Sequence, residues 1–181
     1  MYLQTYLSII ANDQNIVLIG LPGAGKRYIG EQLSDKLGIF MLDVDRQIEK
    51  KKNTKVFNLL IKRNEKYFRD LETKTIKELS SRTGKIITTG SGIVLRERNI
   101  KALERNSIIV YIDRDIKKIK KTLNSQESKL LLEKYGSLES MYSERDHLYR
   151  KYADITVENR GNSGKVADKI IDLIMGKPVE D

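Results

Sequence analysis

Apolar positions in this chain alternate between two periods. Residues Asn15–Ile19 (NIVLI) form a short run rich in β-branched residues that stops at Gly20 and Pro22. A run so brief and so uniformly apolar predicts a strand of a parallel sheet, covered on both faces. The period then changes: Ile29, Leu33 and Leu37 recur at helical spacing over residues 27–37, and Gly38 supplies a stop signal. Residues 39–42 read as a second strand, and residues 46–52 and 55–80 as two charged helical segments. Three more apolar runs, at 85–89 (KIITT), 107–112 (SIIVYI) and 154–157 (DITV), are separated by helical stretches. The last helix, residues 166–175, sets Val166, Ile170, Ile171 and Ile174 on one face. This alternation predicts an α/β domain, a parallel sheet with helices on both faces.

Length and punctuation limit that domain. At 181 residues the chain is long enough for one substantial core and short for two. Its two prolines, Pro22 and Pro178, mark no interdomain linker, and no repeat or low-complexity segment is evident. The expected organisation is one domain over residues 15–176, with tails at 1–14 and 177–181. Residues 1–15 have neither a basic start nor a long apolar run, so no signal peptide is expected, and charges interrupt every later apolar segment. The absence of cysteine excludes a disulfide framework, a thiolate metal site and a cysteine nucleophile, and fits a reducing compartment. A soluble, cytoplasmic protein is expected.

Charge alone leaves several partners open. Thirty-four Lys and Arg against 25 Asp and Glu give a formal net charge of +9, which suits nucleic acid, an anionic surface or small anions. The basic residues are dispersed, as at 50–52 and 117–121, with acidic residues between them and little aromatic interleaving. That pattern argues against nucleic acid and for small anions.

Gly20-Leu-Pro-Gly-Ala-Gly-Lys26 fills seven positions of the eight-residue phosphate-loop pattern, and it lies between a predicted strand and a predicted helix. Glycines in such a loop let backbone N–H groups turn toward one anion, while the helix end and the Lys26 ammonium face the outer phosphates. Gly20, Gly23, Ala24, Gly25, Lys26 and Arg27 are therefore the nucleotide-binding candidates. The eighth position, where a Ser or Thr hydroxyl binds Mg²⁺, is Arg27, followed by Tyr28. A guanidinium does not coordinate a cation; it can instead place its own charge against the phosphates.

Farther on, Asp43-Val-Asp45 puts two carboxylates at alternating positions as the second strand ends, so that both point into the cleft above the sheet. Taken singly they serve equally well as caps for the next helix. Tyr67-Phe68-Arg69-Asp70 and Glu72 fall in a helix, Thr89-Gly90-Ser91-Gly92 follows the third strand, and Arg145 precedes Leu148-Tyr149 and Ala153-Asp154. Alone, Arg69 reads as a solvated side chain, Gly90 and Gly92 as a turn, and His147, the sole histidine, as structural. In this order and spacing they resemble the shikimate kinase family over residues 15–175.

The resemblance implies a three-layer fold whose five-stranded parallel sheet has the order 2-3-1-4-5, as in nucleoside monophosphate kinases, with a lid. It implies ATP-dependent phosphorylation of the 3-hydroxyl of shikimate, with ATP and Mg²⁺ as cofactors, and a monomer is expected. By position, Asp45 matches the carboxylate that hydrogen-bonds the acceptor hydroxyl and acts as base, and Asp43 the one that holds metal-bound water. Arg69 and Arg145 match the guanidiniums that grip the shikimate carboxylate, and Glu72 the carboxylate that steadies Arg69. Gly90 and Gly92 match backbone contacts to substrate, with Ser91 in place of the middle glycine. The lid stretch at residues 126–132 (QESKLLL) offers Lys129 where the family has an Arg, as the basic residue over the transferring phosphate. Lys121 and Thr122 are candidates for a place near the adenine. Two other readings stay open: a catalytically impaired relative that binds nucleotide or a partner protein, and a kinase for another small hydroxy acid.

Overall fold

Five strands, β1 (Asn15–Ile19), β2 (Met41–Asp43), β3 (Ile86–Thr88), β4 (Ser107–Asp113) and β5 (Ile155–Glu158), form one sheet in the order β2-β3-β1-β4-β5. All four pairings are parallel. The computed structural model describes residues 14–62, 64–123, 132 and 136–176. Lys129 and the two tails, except for Gln14, lie outside them.

The sheet divides the core by the period-2 rule. In the central strand β1, Ile16 and Leu18 point to one side and Val17 and Ile19 to the other, and all four are fully buried. On the first side lie α1 (Lys26–Leu37), with Ile29 and Leu33, and α8 (Ser163–Ile174), with Val166, Ala167, Ile170 and Ile171. On the second side pack α2 (Val44–Lys52), α3 (Val56–Lys62), α4 (Glu65–Ser80), α5 (Glu97–Leu103), α6 (Ile116–Thr122) and α7 (Leu138–Tyr152). A branched side chain fully buried in these layers contributes about 1.5–3 kcal/mol.

The expected helix over residues 55–80 is two helices. Asn64 has an extended backbone, and its side chain accepts a hydrogen bond from the Tyr67 amide, so it caps α4 and ends the continuity with α3. The second strand also lies later than expected, at Met41–Asp43. Asp43 is therefore the last strand residue and Asp45 already belongs to the first turn of α2. Helix geometry, rather than strand alternation, sets the direction of Asp45. Among the described residues no helix is long and apolar enough to cross a membrane.

Outside the helices, every described candidate residue sits at or just beyond the carboxyl end of a strand. Gly20 follows β1, Asp43 ends β2 and Gly90 lies just beyond β3, while Asp113 and Asn159 mark the ends of β4 and β5. Beside β1, whose neighbours are β3 and β4, the strand order reverses, and ligands of open α/β sheets bind at that point.

Candidate active site

The turn from β1 into α1 is shaped by close approach. Gly25 caps α1 at φ 96°, and a Cβ there would lie 2.5 Å from the Asn159 amide nitrogen. At Gly20 a Cβ would lie 2.7 Å from the Ile112 carbonyl oxygen. Only glycine fits both places. The loop carbonyls are tied down from three directions. Lys26 Nζ donates to the carbonyls of Gly20 at 2.8 Å and Leu21 at 2.9 Å, Arg114 donates to Gly23 at 2.9 Å, and Asn159 Nδ2 donates to Ala24 at 2.8 Å. With the loop so held, the start of α1 presents its positive end to an anion. Burial lowers the Lys26 pKa to about 8, against the opposing pull of Asp45 and Asp43.

Arg27 stands on the outer side of this turn. Its Nε lies 3.2 Å from Glu31 Oε1, and the two side chains are 47% and 42% exposed. The position therefore carries an i,i+4 surface pair, worth roughly 0.3–0.5 kcal/mol, and no hydroxyl.

Across the cleft, Asp43 is both cap and brace. One carboxylate oxygen accepts from the Arg46 amide at 2.9 Å and caps α2; the other accepts from Thr88 Oγ1 at 2.7 Å, across the β2–β3 pairing that aligns these two residues. Asp45, in the first turn of α2, behaves differently. Its Oδ1 is buried with no hydrogen-bond partner among the described residues. Burial, then the charges of Asp43 and Glu72, push its pKa up to about 7, outweighing Lys26 and Arg69. A Cβ on Gly90 would come within 3.2 Å of both Asp45 Oδ1 and Glu72 Oε1, so the carboxylates close over the β3 loop at a residue without a side chain.

Arg69 and Arg145 reach that loop from opposite helices. Arg69 is buried on α4; its NH1 donates to Glu72 at 3.0 and 3.1 Å, and its Nε and NH2 to Glu65 Oε1 at 3.3 and 3.2 Å. Glu72 has 0% exposure. Burial raises its pKa, and Arg69 opposes that rise. The guanidinium lies so near Gly92 that a Cβ there would come within 2.2 Å of it. From α7, buried Arg145 donates through NH1 to Ser91 Oγ at 3.3 Å and through Nε to Glu144 at 3.1 Å. Two guanidiniums from separate helices thus meet consecutive residues of one loop, which no local pattern in the sequence foretells.

Several participants are not among the site candidates that the sequence offers. Asn159 and Arg114 hold the phosphate loop, Thr88 braces Asp43, and Tyr149 donates its hydroxyl to the Ser91 carbonyl at 2.5 Å. His147 is exposed on α7. Thr122, in the last turn of α6, bonds back to the Ile119 carbonyl at 2.8 Å.

For a metal, the candidate donors are the carboxylates of Asp43 and Asp45, whose charges act on Lys26 of the phosphate loop. Among the described residues no group of three or more His, Cys, Asp or Glu gathers to hold an ion. Carboxylates beside a phosphate cradle fit Mg²⁺, which keeps much of its water and is held chiefly by nucleotide phosphates. The unpartnered Asp45 oxygen is consistent with that fit; the residue after Lys26 contributes nothing to it.

The family model described as shikimate kinase matches residues 22–175. The chain is 34% identical over 160 residues to the shikimate kinase of Clostridium beijerinckii, a match that covers 88% of this chain and 94% of that protein. To the shikimate kinase of Actinobacillus succinogenes it is 35% identical over 170 residues, covering 91% and 97%. Among solved structures, the shikimate kinase from Acinetobacter baumannii in complex with shikimate is similar at a TM-score of 0.77 and 30% identity, covering 94% of this chain and 99% of that one. The shikimate kinase from Aquifex aeolicus is similar at a TM-score of 0.75 and 28% identity, covering 90% and 97%. Since the likeness runs from inside the phosphate loop to the end of α8, in sequence and fold together, this chain belongs to the shikimate kinase family, small-molecule kinases that transfer phosphate to an alcohol.

Proposed function

We propose that the protein phosphorylates the 3-hydroxyl of shikimate with ATP. The observation that carries this reading is the meeting of Arg69 and Arg145 at Ser91 and Gly92, with Asp45 lying over Gly90 and in the field of Lys26. Two fixed guanidiniums suit a carboxylate, and their place at the β3 loop assigns acceptor recognition and nucleotide recognition to different segments.

In this reading the phosphate loop and Lys26 hold the outer phosphates of ATP, while Arg69 and Arg145 hold the shikimate carboxylate. Gly90 and Gly92 offer backbone groups to the substrate, and Glu72 keeps Arg69 in place. The acceptor oxygen bonds to the γ-phosphorus, the bond from that phosphorus to the β–γ bridging oxygen breaks, and the hydroxyl proton passes to Asp45. A pKa of about 7 suits that carboxylate to accept a proton at neutral pH. Transfer depends mainly on alignment and charge stabilisation. Asp43 would hold Mg²⁺ through a bound water, and the ion would supply charge neutralisation on the phosphates. The family resemblance assigns Lys129, outside the described residues, the role of the basic residue over the transferring phosphate. The protein works as a cytoplasmic monomer and needs no nucleic acid.

Arg27 favours a second reading, a relative that binds nucleotide with little transfer, because it removes the hydroxyl ligand. Coupled ADP-release measurements with shikimate, with and without Mg²⁺, separate the two. Shikimate-dependent ADP release that rises with Mg²⁺ supports the kinase. ATP binding without shikimate-dependent release supports the binder.

A further inference from the structure

We infer that Ser91 is a positioning residue for Arg145, fixing the guanidinium through its hydroxyl where the family resemblance expects a glycine. The inference rests on the shikimate reading and deepens it.

Arg145 comes from α7, on a different helix from its counterpart Arg69 and far from the β3 loop in sequence. Arg69 is anchored on its own helix, by Glu65 and Glu72. The Arg145 pair with Glu144 is to a neighbour whose side chain is 56% exposed, a weaker restraint in water. The bond from NH1 to Ser91 Oγ, at 3.3 Å, adds a restraint from the opposite wall of the cleft. Ser91 is held in turn. Its carbonyl accepts the Tyr149 hydroxyl at 2.5 Å, and the Tyr149 ring stacks on Tyr111 of β4 at 5.0 Å between centroids. One residue of the β3 loop thus engages α7 twice, by side chain and by main chain, one helical turn apart.

A glycine at this position would keep the main-chain bond and lose the other. A hydroxyl that accepts a hydrogen bond also retains its own proton. A carboxylate gripped by Arg145 is a ready acceptor for it, so Ser91 both orients the clamp and adds a donor to it.

Calorimetric shikimate titrations and steady-state kinetics of Ser91→Ala, Ser91→Thr, Arg145→Ala and the double variant Ser91→Ala with Arg145→Ala test this. Ser91→Ala is expected to weaken shikimate binding roughly ten- to a hundredfold, as for a lost bond to a charged group. The loss should appear in KM for shikimate rather than in kcat or ATP affinity. Ser91→Thr, which keeps the hydroxyl, should restore most of it. In the Arg145→Ala background Ser91→Ala should cost little more, the signature of two residues acting as one. Wild-type affinity in Ser91→Ala beside a weakened Arg145→Ala overturns the role of Ser91 and leaves the shikimate reading standing. Independent, additive losses, or equal losses of ATP and shikimate affinity, also overturn it. Wild-type shikimate affinity in Arg145→Ala defeats the acceptor reading and this inference with it.

Discussion

The two sides of the cleft are built on opposite plans. The phosphate side is one continuous segment, Gly20 to Lys26, whose carbonyls are held by Lys26 itself and by Arg114 and Asn159. The side proposed to hold the acceptor is assembled from β2 and α2, α4, the β3 loop and α7, and it holds two carboxylates in tension: Asp45, whose buried Oδ1 has no hydrogen-bond partner among the described residues, and Glu72 wholly buried against Arg69. A phosphate chain can be gripped by main-chain donors, which any residue supplies, so the requirement on sequence is glycine and a lysine. A small carboxylic acid with a reacting hydroxyl needs charged side chains at fixed separations, and these come from distant parts of the chain. Damage to the first side should therefore weaken nucleotide binding, and damage to the second should divide between binding and chemistry.

The largest effect is expected at Asp45. Asp45→Asn keeps the shape but cannot take a proton, so turnover should fall on the order of 10²- to 10⁴-fold while shikimate affinity changes far less. Steady-state kinetics beside calorimetry give both values, and unchanged turnover would leave Asp45 a positioning role alone. Next is Arg69→Ala, which should weaken shikimate binding by roughly 2–5 kcal/mol with ATP affinity nearly unchanged. It also strips fully buried Glu72 of its guanidinium, so a loss of thermal stability should accompany it. Equal losses for both ligands would erase the proposed division of the cleft.

The carboxylate of Asp45 gives a smaller test without ligands. Its folded-state pKa, about 7, lies above its ordinary value of 3.8, so its protonated form is favoured by folding. The associated stability is fully present below about pH 4 and is lost as pH rises through 7. Asp45→Asn, neutral throughout, should thus raise the melting temperature more at pH 8 than at pH 5, by about 2–4 °C per kcal/mol relieved. An equal gain at both pH values would show that its charge is not the burden.

On the phosphate side, Asn159→Ala removes one tie to the loop and should raise KM for ATP several-fold, an effect of roughly 1 kcal/mol, and leave shikimate affinity alone. Smallest in stability is Arg27→Ser, which breaks only the surface pair with Glu31 and should shift the melting temperature by less than about 2 °C. Its interest is functional: a restored hydroxyl should increase the Mg²⁺ dependence of ATP binding and raise turnover with shikimate. An efficient wild type that loses activity on this change would mark Arg27 as an adaptation.

What the chain reveals before it folds follows the range of the interactions involved. The sequence alone determined the number and order of the strands along the chain, the helix after β1, the phosphate loop and its missing hydroxyl, because hydrophobic period and glycine placement act within a few residues. It suggested acceptor residues only through resemblance, since nothing near Arg145 points to Ser91. In the same way, nothing near Ala24 points to Asn159, at the end of β5, as the side chain that holds its carbonyl. Only the tertiary structure decided that Asp45 lies in a helix turn, that Asn64 divides residues 55–80 into two helices, and that Gly92 is the platform for the Arg69 guanidinium. Each depends on which segments the sheet order brings side by side, and burial, which sets the pKa values of Lys26 and Asp45, exists only once those segments have packed.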